Sequence, residues 1–146
     1  MSKIITNNKR ISFDYEILET YEAGISLLGW EVKSARANTV SLSNSFCSIY
    51  KNEVFLKDSY FKQYMNVKCN EYRDRKLLLH KSEIQKIKRK LDTQELTLVP
   101  RKIYFNSSSK IKIEIALVKG LKKYDKRQKI KERDMKMKIE KQFNFH

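Results

Sequence analysis

The residues of this chain dense enough to act together are cations. From Lys119 to His146 stand 11 Lys or Arg against 4 Asp or Glu, so these 28 of 146 residues carry +7 of the formal +15. The run Lys119-Gly120-Leu121-Lys122-Lys123-Tyr124-Asp125-Lys126-Arg127 continues through Ile130-Lys131-Glu132-Arg133-Asp134. Such a run attracts a polyanion by charge, while Tyr124 and the interspersed acids add stacking and orientation. The other reading is a solvated basic tail with no fixed partner.

Covalent or acid–base chemistry would need other constellations, and none assembles. The chain has no Gly-rich phosphate loop, nucleophile elbow or HExxH pattern. Glu19, Glu22 and Glu31 are conceivable acids without a paired His. Cys47 and Cys69 lack CxxC spacing and read as reduced thiols in a strand and a loop. His80 and His146 have no partner at ligand spacing, and His80 reads as a surface or helix-start residue. No metal and no cofactor is expected. A nuclease built from Lys, Tyr and Glu leaves weak sequence traces and stays as a minor alternative; binding is the favoured class.

Composition agrees with that class. A pI near 9.8, 34% charged residues, 8 Tyr and 7 Phe suit a nucleic-acid binder whose rings stack on bases. No apolar run approaches a membrane span. The first ten residues lack the roughly 7–15-residue apolar core of a signal peptide, so a cytoplasmic location is expected. The length fits one domain plus an appendage, with domain residues 1–119 and tail residues 120–146.

The elements that must position these groups follow from periodicity. Asn7 to Arg10 reads as a polar, basic arm. Phe13, Tyr15 and Ile17 alternate, which predicts a first strand over Phe13 to Tyr21. Ile25, Leu28 and Val32 then recur at helical spacing, which predicts a helix over Ala23 to Ala35, with Gly24 and Gly29 each costing about 1 kcal/mol relative to Ala. Asn38 to Asn44 is a loop. Phe46 to Tyr50 and Val54 to Tyr60 form a hairpin about Lys51-Asn52-Glu53, where Asn tolerates positive φ.

Phe61 to Arg75 reads as irregular, with Tyr60, Phe61, Tyr64 and Tyr72 exposed among Lys62, Lys68, Arg73 and Arg75. That mixture suits RNA, and equally suits rings folded over the end of a sheet. Ser82-Glu83-Ile84-Gln85 has the form of a capping box for a helix with Ile84, Ile87 and Leu91 inward and Lys86, Lys88, Arg89 and Lys90 mostly outward. Leu96 to Phe105 is a strand in which Pro100, the one proline, marks an edge or a bulge. Asn106 to Ser109 turns the chain into the clearest strand, where Ile111, Ile113, Ile115 and Leu117 alternate. Five or six strands joined by hairpins, with short helices, point to a small antiparallel β-barrel of oligonucleotide-binding (OB-like) topology. Beyond Gly120 the apolar stripe is narrow, so the tail is expected to be disordered alone and helical against a partner.

Four separated motifs resemble one family. Asp14 to Ser34, including Gly29-Trp30-Glu31-Val32-Lys33-Ser34, is followed by Arg75-Lys76-Leu77-Leu78-Leu79-His80, Leu96-Thr97-Leu98-Val99-Pro100, and Tyr124-Asp125-Lys126-Arg127 with Ile130 to Arg133. In this order they resemble the small protein B family, the SsrA-binding proteins that partner transfer-messenger RNA. The resemblance implies an OB-like barrel with two or three short flanking helices, acting as a non-catalytic adaptor in trans-translation. It implies that the barrel binds the tRNA-like domain of transfer-messenger RNA and delivers it to stalled ribosomes, the free protein being a monomer. The tail would enter the decoding centre and the empty message channel, against small-subunit ribosomal RNA.

Carried over by residue, the implied RNA-facing barrel positions are Asn8, Lys9, Arg10, Phe13, Glu22, Lys76 and Leu78. On the tail, Lys119, Lys122 and Lys123 would meet ribosomal RNA phosphates, Tyr124, Asp125, Lys126 and Arg127 the decoding centre, and Ile130, Lys131 and Arg133 the channel. Glu22 would position bases rather than attract phosphate, or it would stabilise a helix starting at Ala23. Leu78 would pack under an RNA loop or fill the barrel. This chain departs from the family pattern at Phe13 and Tyr124, where His is common, and at Ala37-Asn38-Thr39, where Asn38 takes the backbone position of a family glycine. The reading from another class is a general single-stranded RNA chaperone with a basic tail.

Overall fold

The computed structural model describes residues 3–66 and 68–120, together with Lys131, Arg133 and Met135. In chain order the elements are β1 (Lys3–Asn7), α1 (Ile11–Asp14), β2 (Tyr15–Ile25), α2 (Gly29–Arg36), β3 (Val40–Ser41), β4 (Phe46–Tyr50), β5 (Glu53–Lys57), β6 (Tyr60–Phe61), β7 (Arg75–Leu78), α3 (Lys81–Thr93), β8 (Thr97–Phe105) and β9 (Ile111–Gly120).

Hydrogen bonding runs in the order β1-β8-β4-β5-β7-β2-β9, every pairing antiparallel, and β8 also pairs β9. Six strands therefore close on themselves, with β1 added along β8 and a small β3–β6 ladder beside them. This is the mainly β, OB-like barrel that the alternating segments predict. Closure needs curvature, and register shifts supply it between Ile17 and Glu19 on β2 and between Pro100 and Lys102 on β8. Pro100 sits at the second, between the part of β8 that pairs β4 at Leu98 and the part that pairs β1 from Lys102. Of the edge or bulge that Pro100 marks, the bulge is realised.

The core is one cluster inside the barrel. Val54, Leu56, Leu77, Leu98, Ile103, Ile113, Ile115 and Leu117 meet Ile84 and Ile87 from α3 and Ala35 from α2. A smaller cluster of Ile11, Val99, Ala116 and Val118 lies under Tyr15 and Ile17, which is why β9 is buried on both faces over Ile115 to Val118.

Several sequence expectations need correction. The first strand starts at Tyr15, because Ile11–Asp14 forms one helical turn that buries Ile11. The helix predicted over Ala23 to Ala35 is only Gly29–Arg36, since Ala23, Gly24 and Ile25 finish β2 and pair with β9 and β7. Ladder bonds to two neighbours outweigh a local helical period. Gly24 is needed for a different reason than helix packing: a Cβ there would stand 3.2 Å from the Cβ of Leu78. The helix predicted from a box at Ser82 starts earlier, with His80 as N-cap and its N–H donating to Glu83 Oε1 at 3.3 Å. The basic arm is preceded by β1, and Arg75–Leu78, left partly in a loop by its charges, is a strand. The hairpin turn has Lys51 at φ 49° and Asn52 at φ 61°, the left-handed pair of a two-residue turn. Asn38 also stands at φ 58°, as the missing glycine required.

Candidate nucleic-acid interface

Strand β7 alternates in and out, and the alternation builds the site. Arg75 and Leu77 point inward and are buried; Lys76 and Leu78 point outward. Pairing Gly24 with Leu78 brings the outward pair beside β2, so Glu22, Lys76 and Leu78 line one open cleft of about 640 Å³ with Asn52, Glu53, His80 and Lys112. Three of the barrel residues implied by the resemblance thus converge. Leu78 is 54% exposed, so it does not fill the barrel.

Glu22 lies inside β2, opposite Glu114 of β9, so no helix begins at Ala23 for it to stabilise. Its carboxylate accepts from the Tyr104 hydroxyl. Burial is the main cause that pushes the Tyr104 phenol well above the usual tyrosine range, and Glu22 adds to it. Glu114 is paired with Arg101 at 3.2 Å and Lys102 at 3.4 Å. The Lys76 ammonium stands 3.1 Å from Glu53 with both side chains nearly half exposed, a pair worth about 0–1 kcal/mol and easily exchanged for a phosphate.

The remaining predicted positions lie elsewhere. Asn8 and Arg10 line a second cleft with Asp14, Ser43 and Phe46, sharing no residue with the first. Asn8 is partly committed to the fold: its N–H donates to Arg101 O at 2.7 Å and its amide to Leu42 O at 3.2 Å. Lys9 and Arg10 are exposed, and the Arg10 carbonyl accepts from Phe13 and Asp14 in the turn of α1. Phe13 is half-buried and carries the Arg133 guanidinium 4.7 Å from its ring centroid, so a predicted base-stacking ring touches the tail. Lys119 is exposed near the end of β9. Lys131 and Arg133 are helical and exposed, whereas Lys122, Lys123, Tyr124, Asp125, Lys126, Arg127 and Ile130 lie outside the described residues.

Behind the cleft is a group that the sequence reading missed. Glu31, wholly buried, accepts from the Leu28 N–H at 2.7 Å, from Arg73 Nη2 at 2.5 Å and from Arg75 Nε at 2.5 Å. Arg75, also wholly buried, spends its other donors on Ser59 O at 3.2 Å, Ser59 Oγ at 3.1 Å, Arg73 O at 2.9 Å and Glu71 O at 3.1 Å. Its guanidinium lies 4.0 Å from the centroid of Phe61. Phe61 and Arg75, expected among exposed loop residues, are both buried, because five donors fixed in one plane can organise a whole loop.

Burial pushes the Glu31 carboxyl up, but the Arg73 hydrogen bond, the Leu28 N–H and the two arginine charges outweigh it and hold it below the usual carboxylate range. Burial likewise pulls Arg75 down while Glu31 pulls it up, for a net lowering. Glu31 is therefore held as a carboxylate inside the fold. A signal was present: Arg75 stands two residues before Leu77, in phase with the buried face of a strand.

Cys47 is buried, Cys69 half-buried, and neither forms a disulfide. Among the described residues no group of three His, Cys, Asp or Glu could hold a metal ion, and no helix is long and apolar enough to cross a membrane.

The family described as SmpB protein matches this chain over residues 5–145. The SsrA-binding protein of Mycoplasmopsis synoviae is 60% identical over 143 residues, covering 98% of this chain and 99% of that one. The SsrA-binding protein of Thermosipho africanus is 50% identical over 140 residues, covering 94% of each chain. A solved chain described under "tmRNA-SmpB: a journey to the center of the bacterial ribosome" superposes with a TM-score of 0.67 at 44% identity, covering 81% of this chain and 85% of that one.

Proposed function

The chain belongs to the SmpB protein family, and from that premise we propose that it binds the tRNA-like domain of transfer-messenger RNA through its barrel and carries it to stalled ribosomes in trans-translation. It acts as a non-catalytic adaptor, in the cytoplasm where ribosomes work. The observation that carries the barrel's part is the convergence of Glu22, Lys76 and Leu78 on one open cleft. Lys76 supplies a cation for phosphate, Leu78 an apolar face for an unstacked base or loop, and Glu22 an acceptor for base amino groups. Asn8 and Arg10 of the second cleft, with Lys9 and Phe13 beside them in sequence, extend the RNA contact.

The tail supplies the ribosomal contact: Lys119, Lys122 and Lys123 on phosphates, Tyr124 to Arg127 at the decoding centre, and Ile130, Lys131 and Arg133 in the empty message channel. Ordering a chain of like charges is unfavourable unless phosphate lines its path and no message fills it, so tail affinity reports vacancy.

The test uses the intact chain, a chain ended after Gly120 where the ladder to Tyr15 stops, and Lys76→Ala, each against transfer-messenger RNA and an unrelated structured RNA at physiological salt. The expected result is strong preference for transfer-messenger RNA by the first two, weakened in Lys76→Ala, with peptide tagging lost only on truncation. Equal affinity for both RNAs in the intact chain would replace this reading with the general RNA-chaperone one.

A further inference from the structure

The loop between β5 and β7 carries four aromatic rings that the proposed adaptor sites do not use, and the structure divides them. Phe61 turns in, wholly buried beneath Arg75. The other three turn out. Tyr60 and Tyr72 form a tilted pair with centroids 5.3 Å apart and planes at 43°, and Tyr72 is 58% exposed. Tyr64 is half-exposed, with the Lys33 ammonium of α2 5.4 Å from its centroid. Met65 next to it is 76% exposed. Rings that only cover the end of a sheet would follow Phe61 inward.

The loop is also held more firmly than its polar composition requires. Arg75 ties the carbonyls of Ser59, Glu71 and Arg73 together, and the Phe61 N–H donates to Glu71 O at 3.0 Å. The Gln63 N–H donates to the Glu71 carboxylate at 2.8 Å, and Lys62 N–H to Thr39 O at 3.1 Å. Buried Arg75 thus fixes the backbone beside Tyr60 and Tyr72. Lys33, Lys62 and Lys68 are exposed, and among the described residues none of the three is in an ion pair.

Outward rings rimmed by cations that no carboxylate pairs are what unpaired nucleotides require: a π-face for each base and a positive charge for the phosphate. A membrane surface would need aliphatic bulk in addition, and an acidic peptide would not need the rings. We propose that Tyr60, Tyr64 and Tyr72, with Lys33 and Lys62, form a stacking platform for single-stranded RNA, separate from the cleft of Glu22, Lys76 and Leu78. It rests on the adaptor reading only in taking RNA as the ligand class. It adds a second, sequence-tolerant contact that holds an unpaired stretch while the barrel cleft holds a folded one.

The experiment measures binding of the full chain to a short oligouridylate, which has no tRNA-like fold, and separately to transfer-messenger RNA. Tyr64→Ser combined with Tyr72→Ser should weaken oligouridylate binding by about 5- to 150-fold for each ring removed, the usual range for one lost base stack. Tyr72→Phe, which keeps the ring, should bind as the parent does. Lys33→Gln should lower the slope of log affinity against log salt by about 0.7. Unfolding midpoints of all variants are recorded, and Tyr72→Phe together with Lys33→Gln decides the question if the double serine variant is unstable. Unchanged oligouridylate binding in a folded double serine variant, or an equal loss in Tyr72→Phe, would overturn the platform. Lys76→Ala is the reference: if it leaves transfer-messenger RNA binding unchanged while the double serine variant loses oligouridylate, the adaptor site fails and the platform stands.

Discussion

Two acid–base groups sit on opposite faces of β7, and they are built to opposite ends. Inside, Glu31 is held by Arg73 and Arg75, with two of the three side chains fully buried and the donors of Arg75 shared among several acceptors. Outside, Lys76 meets Glu53 at 3.1 Å in the open, and Glu22 accepts from a tyrosine hydroxyl. Among the described residues no buried side-chain nitrogen or oxygen lacks a hydrogen-bond partner. The inner group is thus satisfied and closed to ligands, while the outer one keeps charges that a ligand can take over at little cost. One strand of four residues serves both because its side chains alternate.

The largest test of this contrast is to break the inner group. Arg75→Ala leaves Glu31 buried with only part of its compensation, and should lower unfolding free energy in denaturant titrations by about 3–5 kcal/mol. Next in size is Lys76→Ala on the outer face. It should leave stability within about 0.5 kcal/mol of the parent but reduce the salt slope of RNA binding by about 0.7–0.9, the signature of one lost phosphate contact.

Acid tests the inner group a second way. The Glu31 carboxyl lies below its ordinary value of 4.5 in the folded chain, so its stabilisation is complete above that pH and lost as pH falls through the folded value. Unfolding midpoints should therefore drop steeply with acid in the parent and less in Glu31→Gln.

At the alkaline end the sign reverses. Burial, with the hydrogen bond to Glu19, raises Tyr21 to about 12 from an ordinary 10, so its contribution is full below pH 10 and lost as pH rises through 12. Phenolate absorbance should show Tyr21, Tyr60 and Tyr104 each ionising above the ordinary tyrosine value. The smallest effect is expected from Glu53→Gln: stability within about 0.5 kcal/mol, and RNA binding stronger by less than about fivefold, because Lys76 is freed from a weak pair.

The barrel was legible wherever one face alone is buried. Ile111, Ile113, Ile115 and Leu117 alternate plainly, and the hairpin about Asn52 announces itself by residue type. What misled was local period against distant pairing. Ile25, Leu28 and Val32 do recur at helical spacing, yet Gly24 and Ile25 belong to ladders whose partners, Lys112, Leu77 and Leu78, lie some 50 to 90 residues away. No window of sequence contains that information. The outward residues of the cleft came from family motifs, not from periodicity, and Lys76 and Leu78 look like any alternating pair until Gly24 is placed beside them. Glu31 was visible only as a charge without a partner, since its partners lie more than 40 residues downstream.

The closure of the barrel also sets a clock. The most extensive ladder joins β2, near the start of the chain, to β9, whose last residue is Gly120. Tyr15 therefore leaves the ribosome well before its partner strand exists. At the usual 5–20 residues per second of synthesis, roughly 5–20 s separate the two. Through that interval the β2 edge that faces β9 has no partner, and the ring cannot shut until β9 has been made. Long-range pairing of this kind makes folding slow compared with helical proteins of equal size, and leaves strand edges open to other chains meanwhile. Such a ladder makes the closing of the barrel wait on β9.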